Sequence, residues 1–270
     1  MIANCLGINE AGHLEISGCD TVRLAEQYGT PLYVMSEDEI RSVCRRYVAS
    51  FAKNYNGNGK PIYASKAFSC KEIYRIVLSE GLDVEVVSGG ELYTALQAGV
   101  PGSQIHFQGN NKSAGELTMA VENGVGDIVV DNLYELERLN AIAGEHSMVA
   151  PISFRIKPGI DAHTHEFIRT GQVDSKFGLD LASGEAMEAL HRAKTMEHVA
   201  VKGLHCHIGS QILEKAPFVH AAEVMLQFYA KVRDELGMAF EHLNLGGGFG
   251  IHYTAQDDAI PYEEYMEDVS

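Results

Sequence analysis

Residues 61–72 read PIYASKAFSCKE, a short apolar run that ends in a lysine and gives way within a few residues to a helical pattern. Pro61 opens the run, Ile62, Tyr63 and Ala64 carry it, and Lys66 stands where a strand should end. An ammonium at the rim of a buried strand is costly unless something offsets its lost hydration. Either Lys66 is a surface residue at a strand end, or it is an amine kept for covalent chemistry. The flanking sequence bears on that choice.

Working outward, the same unit recurs. Upstream, Ser36 and Glu39 have capping-box spacing, and Ile40, Val43, Cys44, Tyr47, Val48 and Phe51 follow at helical intervals, until NYNGNGK (54–60) breaks the pattern. Downstream, a helix runs from about Lys71 to near Gly81. The strand LDVEVVS (82–88) comes next, and Ser88 with Glu91 opens a helix that Gly99 closes. QIHFQG (104–109) is a strand, Ser113 and Glu116 cap a helix ending at Gly124, DIVVD (127–131) is a strand, and Asn132 caps a helix ending at Gly144. ISFRIKP (152–158), VKGLHCHIG (201–209) and HLNLGGG (242–248) read as further strands, with helices near 183–195 and 216–236. Strands alternating with helices in this way predict parallel strands joined by crossover helices. The strands look dense in apolar residues, as expected when both faces are covered. About seven units succeed one another with no reversal point. The reading is therefore an α/β protein of the (β/α)8 TIM-barrel type rather than an open doubly wound sheet. Residues 1–35 form a separate N-terminal strand segment and residues 36–270 an incomplete barrel.

A barrel gathers its chemistry at the C-terminal ends of its strands. Those ends carry Lys66, Ser88, Gly109 to Asn111, Asp131, Lys157, His207 with Ser210, and Gly246 to Gly250. The glycines of LNLGGGFG (243–250) can bring backbone N–H groups close to a phosphate, or can simply make a tight turn. In GLHCHIGSQ (203–211), His205 and His207 alternate onto one strand face. That pair could hold a metal, pack on a cofactor ring, or sit in the core bonded to backbone. His163 and His165 in DAHTHEFIRTG (161–171) form a second such pair, with exposed loop histidines as the plain alternative. Asp83 and Glu85 share a strand face, and an inward carboxylate needs a partner. Glu91 reads as a capping residue. Arg155, Lys157 and Lys176 add positive charge near the rim, and Arg155 is the hardest of the three to explain as surface.

The bulk composition narrows the function classes. Of 270 residues, 46% are apolar and 21% charged, ordinary for a globular chain. A net charge of −16 makes nucleic acid or an anionic membrane an improbable partner. No run spans a bilayer, and no signal peptide is visible at the start. The five cysteines are scattered without C-x-x-C spacing, which points to a reducing cytoplasm and against a structural zinc site.

In order along the chain, YGTPLYVMSEDEIR, IYASKAF, VEVVSGGEL, IHFQGNNKS, DNLYELERL, FRIKPGIDAHTHEFIRTGQVDSKFGLDL, GLHCHIGSQI and LNLGGGFGI resemble the fold-type III pyridoxal-phosphate decarboxylases, and among them the diaminopimelate decarboxylase branch. The ordered set is specific where each motif alone is not. The resemblance implies pyridoxal 5'-phosphate as cofactor, Lys66 as the Schiff-base lysine, and His207 as the imidazole stacked on the pyridine ring. It puts Ser210, Gly246, Gly247 and Gly248 at phosphate-binding positions and Arg155 at the cofactor site. Glu85 stands where many relatives carry aspartate. The implied reaction is decarboxylation of meso-2,6-diaminopimelate to L-lysine in a homodimeric, cytoplasmic enzyme acting on a small amino acid. The family continues with an eighth strand bearing Glu-Pro-Gly-Arg and a C-terminal β domain, against which residues 1–35 would pack. The expectation is a chain that lacks both and is a poor decarboxylase alone. A metal-dependent barrel hydrolase using the His-x-His pairs, and a non-catalytic pyridoxal-phosphate-binding barrel, stand as alternatives.

Overall fold

The computed structural model describes residues 5–160, 177–254 and 256–270. The chain begins with three short strands, β1 (Leu6–Ile8), β2 (Leu14–Ile16) and β3 (Cys19–Asp20), which pair antiparallel in that order. A helix missed in the sequence follows, α1 (Thr21–Tyr28), capped by Asp20, whose carboxylate accepts from the Val22 and Arg23 N–H groups. This unit buries none of its described residues and leaves Ile8, Tyr28 and Tyr33 facing outward.

The rest is a strand–helix succession: α2 (Glu37–Tyr55), β4 (Ile62–Ala64), α3 (Lys71–Ser79), β5 (Asp83–Val86), α4 (Gly89–Ala98), β6 (Ile105–Phe107), α5 (Ala114–Glu122), β7 (Asp127–Val130), α6 (Leu133–Glu145), β8 (Ala150–Lys157), β9 (Leu179–Asp180), α7 (Glu185–Lys194), β10 (Val199–His205), α8 (Ala216–Leu236), β11 (His242–Asn244) and α9 (Tyr262–Val269). Serine and asparagine side chains start these helices as the spacing predicts. Ser36, Ser88, Ser113 and Asn132 each accept from the backbone three residues on. Among them only Ser113 and Glu116 complete the reciprocal box.

Seven parallel strands stand in the order β4-β5-β6-β7-β8-β10-β11, with β9 added beside β8. Sequence order equals spatial order, so the sheet is singly wound. It curls as a barrel does, and a doubly wound sheet is ruled out because that topology reverses direction partway. The two ends of the series meet in the helical layer. On α2 and α9, Arg46 grips Glu263 through two bonds of 2.7 and 2.8 Å, Tyr47 stacks on Tyr262 with ring centroids 3.7 Å apart, and Lys53 pairs with Glu267.

The two faces of the sheet differ in chemistry. Val84, Val86, Ile105, Phe107, Ile128, Val130, Ile152, Phe154 and Ile156 point to the helices and are buried in one apolar cluster with side chains such as Tyr74, Leu92, Leu117, Leu136 and Leu139. Each full burial of this kind contributes about 1.5–3 kcal/mol. The alternate residues face inward and are largely polar, a departure from the two-sided apolar strands expected from composition. Asp83, His106, Asp127, Ser153 and His242 make the lower layer, near the strand starts. His106 lies 3.2 Å from Asp83 and 3.5 Å from Asp127, Ser153 Oγ donates to Asp127 at 3.0 Å, and His242 lies 3.4 Å from Asp127. Lys60 and Gln104 complete the partners of Asp83.

Burial alone would depress His106, but hydrogen bonds to Asp127 and Asp83 outweigh it and raise it to about 9. For Asp127, burial would raise the carboxyl, yet His106 and His242 hold it at about 2. The imidazolium between two carboxylates therefore fastens β5, β6 and β7.

A second buried ion pair ties the rim. Lys112 uses all three donors at 2.7 Å, to the Gly109 and Val129 carbonyls and to Glu135 Oε1. It pins the loop after β6 to β7 and α6.

Two stability measurements follow. His106 is protonated more firmly in the fold than its ordinary value near 6.5 allows. Its contribution, on the order of 2–3 kcal/mol, is therefore complete below pH ~6.5 and is lost as pH rises toward 9. Urea unfolding across that range should show the decline, and His106→Asn should flatten it; an equally steep decline in the variant would contradict the assignment. Lys112→Met should cost about 3 kcal/mol or more by stranding Glu135, whereas Lys112→Met with Glu135→Leu should recover most of it. A single variant costing under about 1 kcal/mol would show that the pair does not hold the loop.

Candidate functional site

Lys66 lies in a short 3-10 turn, Ser65–Ala67, that directly follows β4, so the backbone of a paired strand delivers its ammonium to the rim, where it is exposed. Its neighbour Ser65 is buried and donates to Glu91 Oε2 at 2.9 Å. The same oxygen accepts from the Val87 N–H at 2.7 Å. Glu91 thus does more than occupy the N3 position of α4: its carboxylate laces the ends of β4 and β5 together beneath the lysine. Spacing marked it as part of a cap because its own N–H donates to the Ser88 hydroxyl oxygen, at 3.3 Å.

Glu85 is the inward residue of β5 one layer above Asp83. Burial pushes its carboxyl up, while Lys66, then His106 and Arg155, act on it through space in the opposite sense. Gln108, one residue beyond β6 and 8% exposed, donates to Glu85 Oε2 at 2.7 Å and reaches His205 Nε2 at 2.7 Å. His205 is fully buried, and burial followed by the nearby Arg155 and His207 pulls it down to about 3. His205 and His207 therefore differ in kind. The first is a neutral interior group, and the second lies past the end of β10 and is half-buried. Arg155 is half-buried on β8, paired in register with His205, its guanidinium 4.8 Å from the ring centroid of Phe177. Asp83 belongs to the lower layer and not to this rim.

The segments after β10 and β11 are laced to each other. Cys206 N–H donates to Asn244 O at 2.9 Å, Ile212 N–H to Gly248 O at 2.9 Å, and Gly250 N–H to Ile212 O at 2.8 Å. The close fit needs glycine. A Cβ on Gly246, at φ 75°, would meet Cys206 O at 2.5 Å, and one on Gly248, at φ 103°, would meet Gly209 O at 1.9 Å. Above Gly247 there is open space, with nothing within 4 Å of the place a Cβ would take. The Gly246 N–H is held by the Asn244 side chain at 2.8 Å, while those of Gly247 and Gly248 have no hydrogen-bond acceptor among the described residues. Two available N–H groups beside open space form a cradle that suits a phosphate. Ser210 lies exposed on the facing segment. Buried Cys206 between the two histidines is pushed up to about 12 by burial and is inert as a nucleophile.

Lys66, Glu85, Arg155, His207, Ser210 and Gly246 to Gly248 thus all belong to the strand ends or the segments leaving them. Glu91, read as a cap, and Gln108 escaped notice as parts of that rim, and of the readings left open for His205 the structure gives an interior position. Of the two His-x-His pairs, His163 and His165 lie outside the described residues, as does Lys176. Among the described residues no group of three or more His, Cys, Asp or Glu is placed to hold a metal ion. No helix among them is long and apolar enough to cross a membrane.

Comparison with known proteins extends this geometry. The family profile described as the pyridoxal-binding domain of pyridoxal-dependent decarboxylases matches residues 37–270. A diaminopimelate decarboxylase of Bacillus methanolicus is 49% identical over 262 residues, covering 97% of this chain and 60% of the relative. One from Bacillus subtilis is 47% identical, covering 97% and 59%. The solved diaminopimelate decarboxylase of M. jannaschii superposes with a TM-score of 0.91 at 38% identity, covering 98% of this chain and 62% of that one. The Helicobacter pylori enzyme complexed with L-lysine gives 0.81 at 30%, covering 93% and 62%. The chain therefore spans about 60% of the length of the curated relatives it matches. A singly wound parallel sheet with an amine and a glycine cradle at its C-terminal rim, matched over 37–270, makes this chain a member of the pyridoxal-dependent decarboxylases, with those residues as its pyridoxal-binding domain.

Proposed function

We propose that the protein acts in the decarboxylation of meso-2,6-diaminopimelate to L-lysine and carbon dioxide, with pyridoxal 5'-phosphate as cofactor. The observation that carries the reading is the alignment of 97% of the chain at 49% identity with a diaminopimelate decarboxylase. Solved relatives complexed with L-lysine favour the same product.

The residues present fit the cofactor. In this reading Lys66 would be the covalent anchor, His207 would contact the ring, and Gly246, Gly247, Gly248 and Ser210 would hold the phosphate. Arg155 and Glu85 would face the cofactor from β8 and β5. When bound, the cofactor supplies the electron sink for loss of carbon dioxide from the substrate Cα. The protein supplies orientation and proton placement. The Glu91 clamp on Ser65 fixes the backbone from which Lys66 reaches. Glu85, with its proton affinity raised by burial, can hold or release a proton at the wall facing Lys66. The Gly247 and Gly248 N–H groups offer an anion two donors with no side chain in the way.

The same reading places residues 1–35 against a C-terminal β domain of the whole protein. It also makes the active form a homodimer in the cytoplasm. The outward apolar side chains Ile8, Leu14, Tyr28 and Tyr33 support the docking of that unit on another surface.

Borohydride reduction with pyridoxal phosphate, followed by peptide mass analysis, should find the adduct on Lys66 and none in Lys66→Ala. An adduct that persists in the variant would remove Lys66 from the anchor role. Joined to the remaining C-terminal segment of the Bacillus methanolicus relative, the chain should release L-lysine from meso-diaminopimelate. Lys66→Ala should lower that rate by at least ~10³-fold, the scale expected for loss of a covalent group. Putrescine from L-ornithine at a higher rate would reassign the substrate.

A further inference from the structure

We propose that Gln108 is a positioning residue for the cofactor anchor: its amide holds the Glu85 carboxylate on the wall facing Lys66 and fixes His205 in one neutral tautomer. This rests on the reading of Lys66 as the anchor. The two contacts, each 2.7 Å, both leave from Gln108 Nε2. An ionised carboxylate only accepts, so the amide must present its NH2 group to Glu85 and not its oxygen. The second proton of that group then points at His205, whose Nε2 must accept. An imidazole that accepts on Nε2 keeps its proton on Nδ1, and a protonated ring has no lone pair to offer. The charge of Glu85 therefore dictates the tautomer of a histidine 97 residues from Gln108 in sequence.

The choice of donor has a chemical consequence. Gln108 is the single hydrogen-bond donor to Glu85 among the described residues, and it is neutral. A lysine or arginine in its place would stabilise the carboxylate strongly and abolish its usefulness as a proton acceptor near neutrality. A neutral amide orients the group while leaving its affinity for a proton high, in keeping with the direction that burial gives it. His205 braces the amide from the opposite wall. Arg155, Lys66 and His106 are the charged or titratable groups facing Glu85 from β8, β4 and β6, with Glu91 on its own side. None of them is a hydrogen-bond partner of Glu85 among the described residues.

The test uses Gln108→Met, close in shape and without donors. Gln108→Asn, which keeps the amide but not its reach, replaces it if the first variant fails to fold. In the cofactor-free chain, 15N NMR should show His205 as the Nδ1–H tautomer, and either variant should lose that preference. Capture of pyridoxal phosphate by Lys66, trapped with borohydride, should slow roughly tenfold, as for loss of one charge-assisted hydrogen bond. Glu85→Gln should slow it similarly, and the double variant should be no slower than the slower single one, because both act on one contact. An unchanged His205 tautomer, or effects that multiply in the double variant, would overturn the proposal. If wild type gains no adduct on Lys66, the anchor reading itself falls, and the role of Gln108 falls with it.

Discussion

The imidazolium of His106, caught between Asp83 and Asp127, is the interaction on which the curled sheet depends. It sits where an ordinary barrel packs branched aliphatic side chains in layers. Charge inside a sheet is tolerable only when every charge has an opposite neighbour, and here one cation serves two anions on adjoining strands. Ser153 and His242 extend the contact to β8 and β11. The polar floor thus joins five of the seven parallel strands and gives the upper layer a fixed base.

The upper layer follows from that base. Asp83 and Glu85 alternate on β5, His106 and Gln108 on and beyond β6, Ser153 and Arg155 on β8. Once the lower members are bonded to each other, strand geometry sets the upper ones about two residues higher, facing the rim. Apolar residues at the intervening positions anchor the same strands to the helices. The site is therefore rigid for reasons that lie outside it. The loop after β6 gains a separate anchor from Lys112, whose fully used ammonium ties the Gly109 carbonyl of that loop to the Val129 carbonyl on β7.

Much of this was legible in the sequence. Serine and asparagine caps, closing glycines and the recurring apolar runs located the helices and strands, because each reflects a local backbone requirement. The rim residues Lys66, Glu85, His207 and Gly246 to Gly248 could be picked out because charge or glycine at a strand end is unusual. What escaped depends on distant parts of the chain. Gln108 is uncharged and acquires meaning only beside Glu85 and His205. Glu91 fits a capping pattern so well that its bond to Ser65 could not be inferred. Much of the polar lining hid in the short strands β5, β6, β7 and β11, too brief for a period of two to stand out against flanking valines and isoleucines. The α1 helix was missed because its apolar residues bury nothing within this unit.

The seam between α2 and α9 bears on how the molecule comes together in time. Arg46 and Glu263 are 217 residues apart in the sequence. Neighbouring strand–helix units meet over short loops and can assemble one after another as the chain is synthesised. The seam cannot, since its second half is made 217 residues after its first, and closing so long a loop carries an entropy cost that local contacts do not. Until Tyr262 has been made, the face of α2 that carries Tyr47 is without its stacking partner. The helical layer is thus latched from α2 to α9 only once the strands between them have been made.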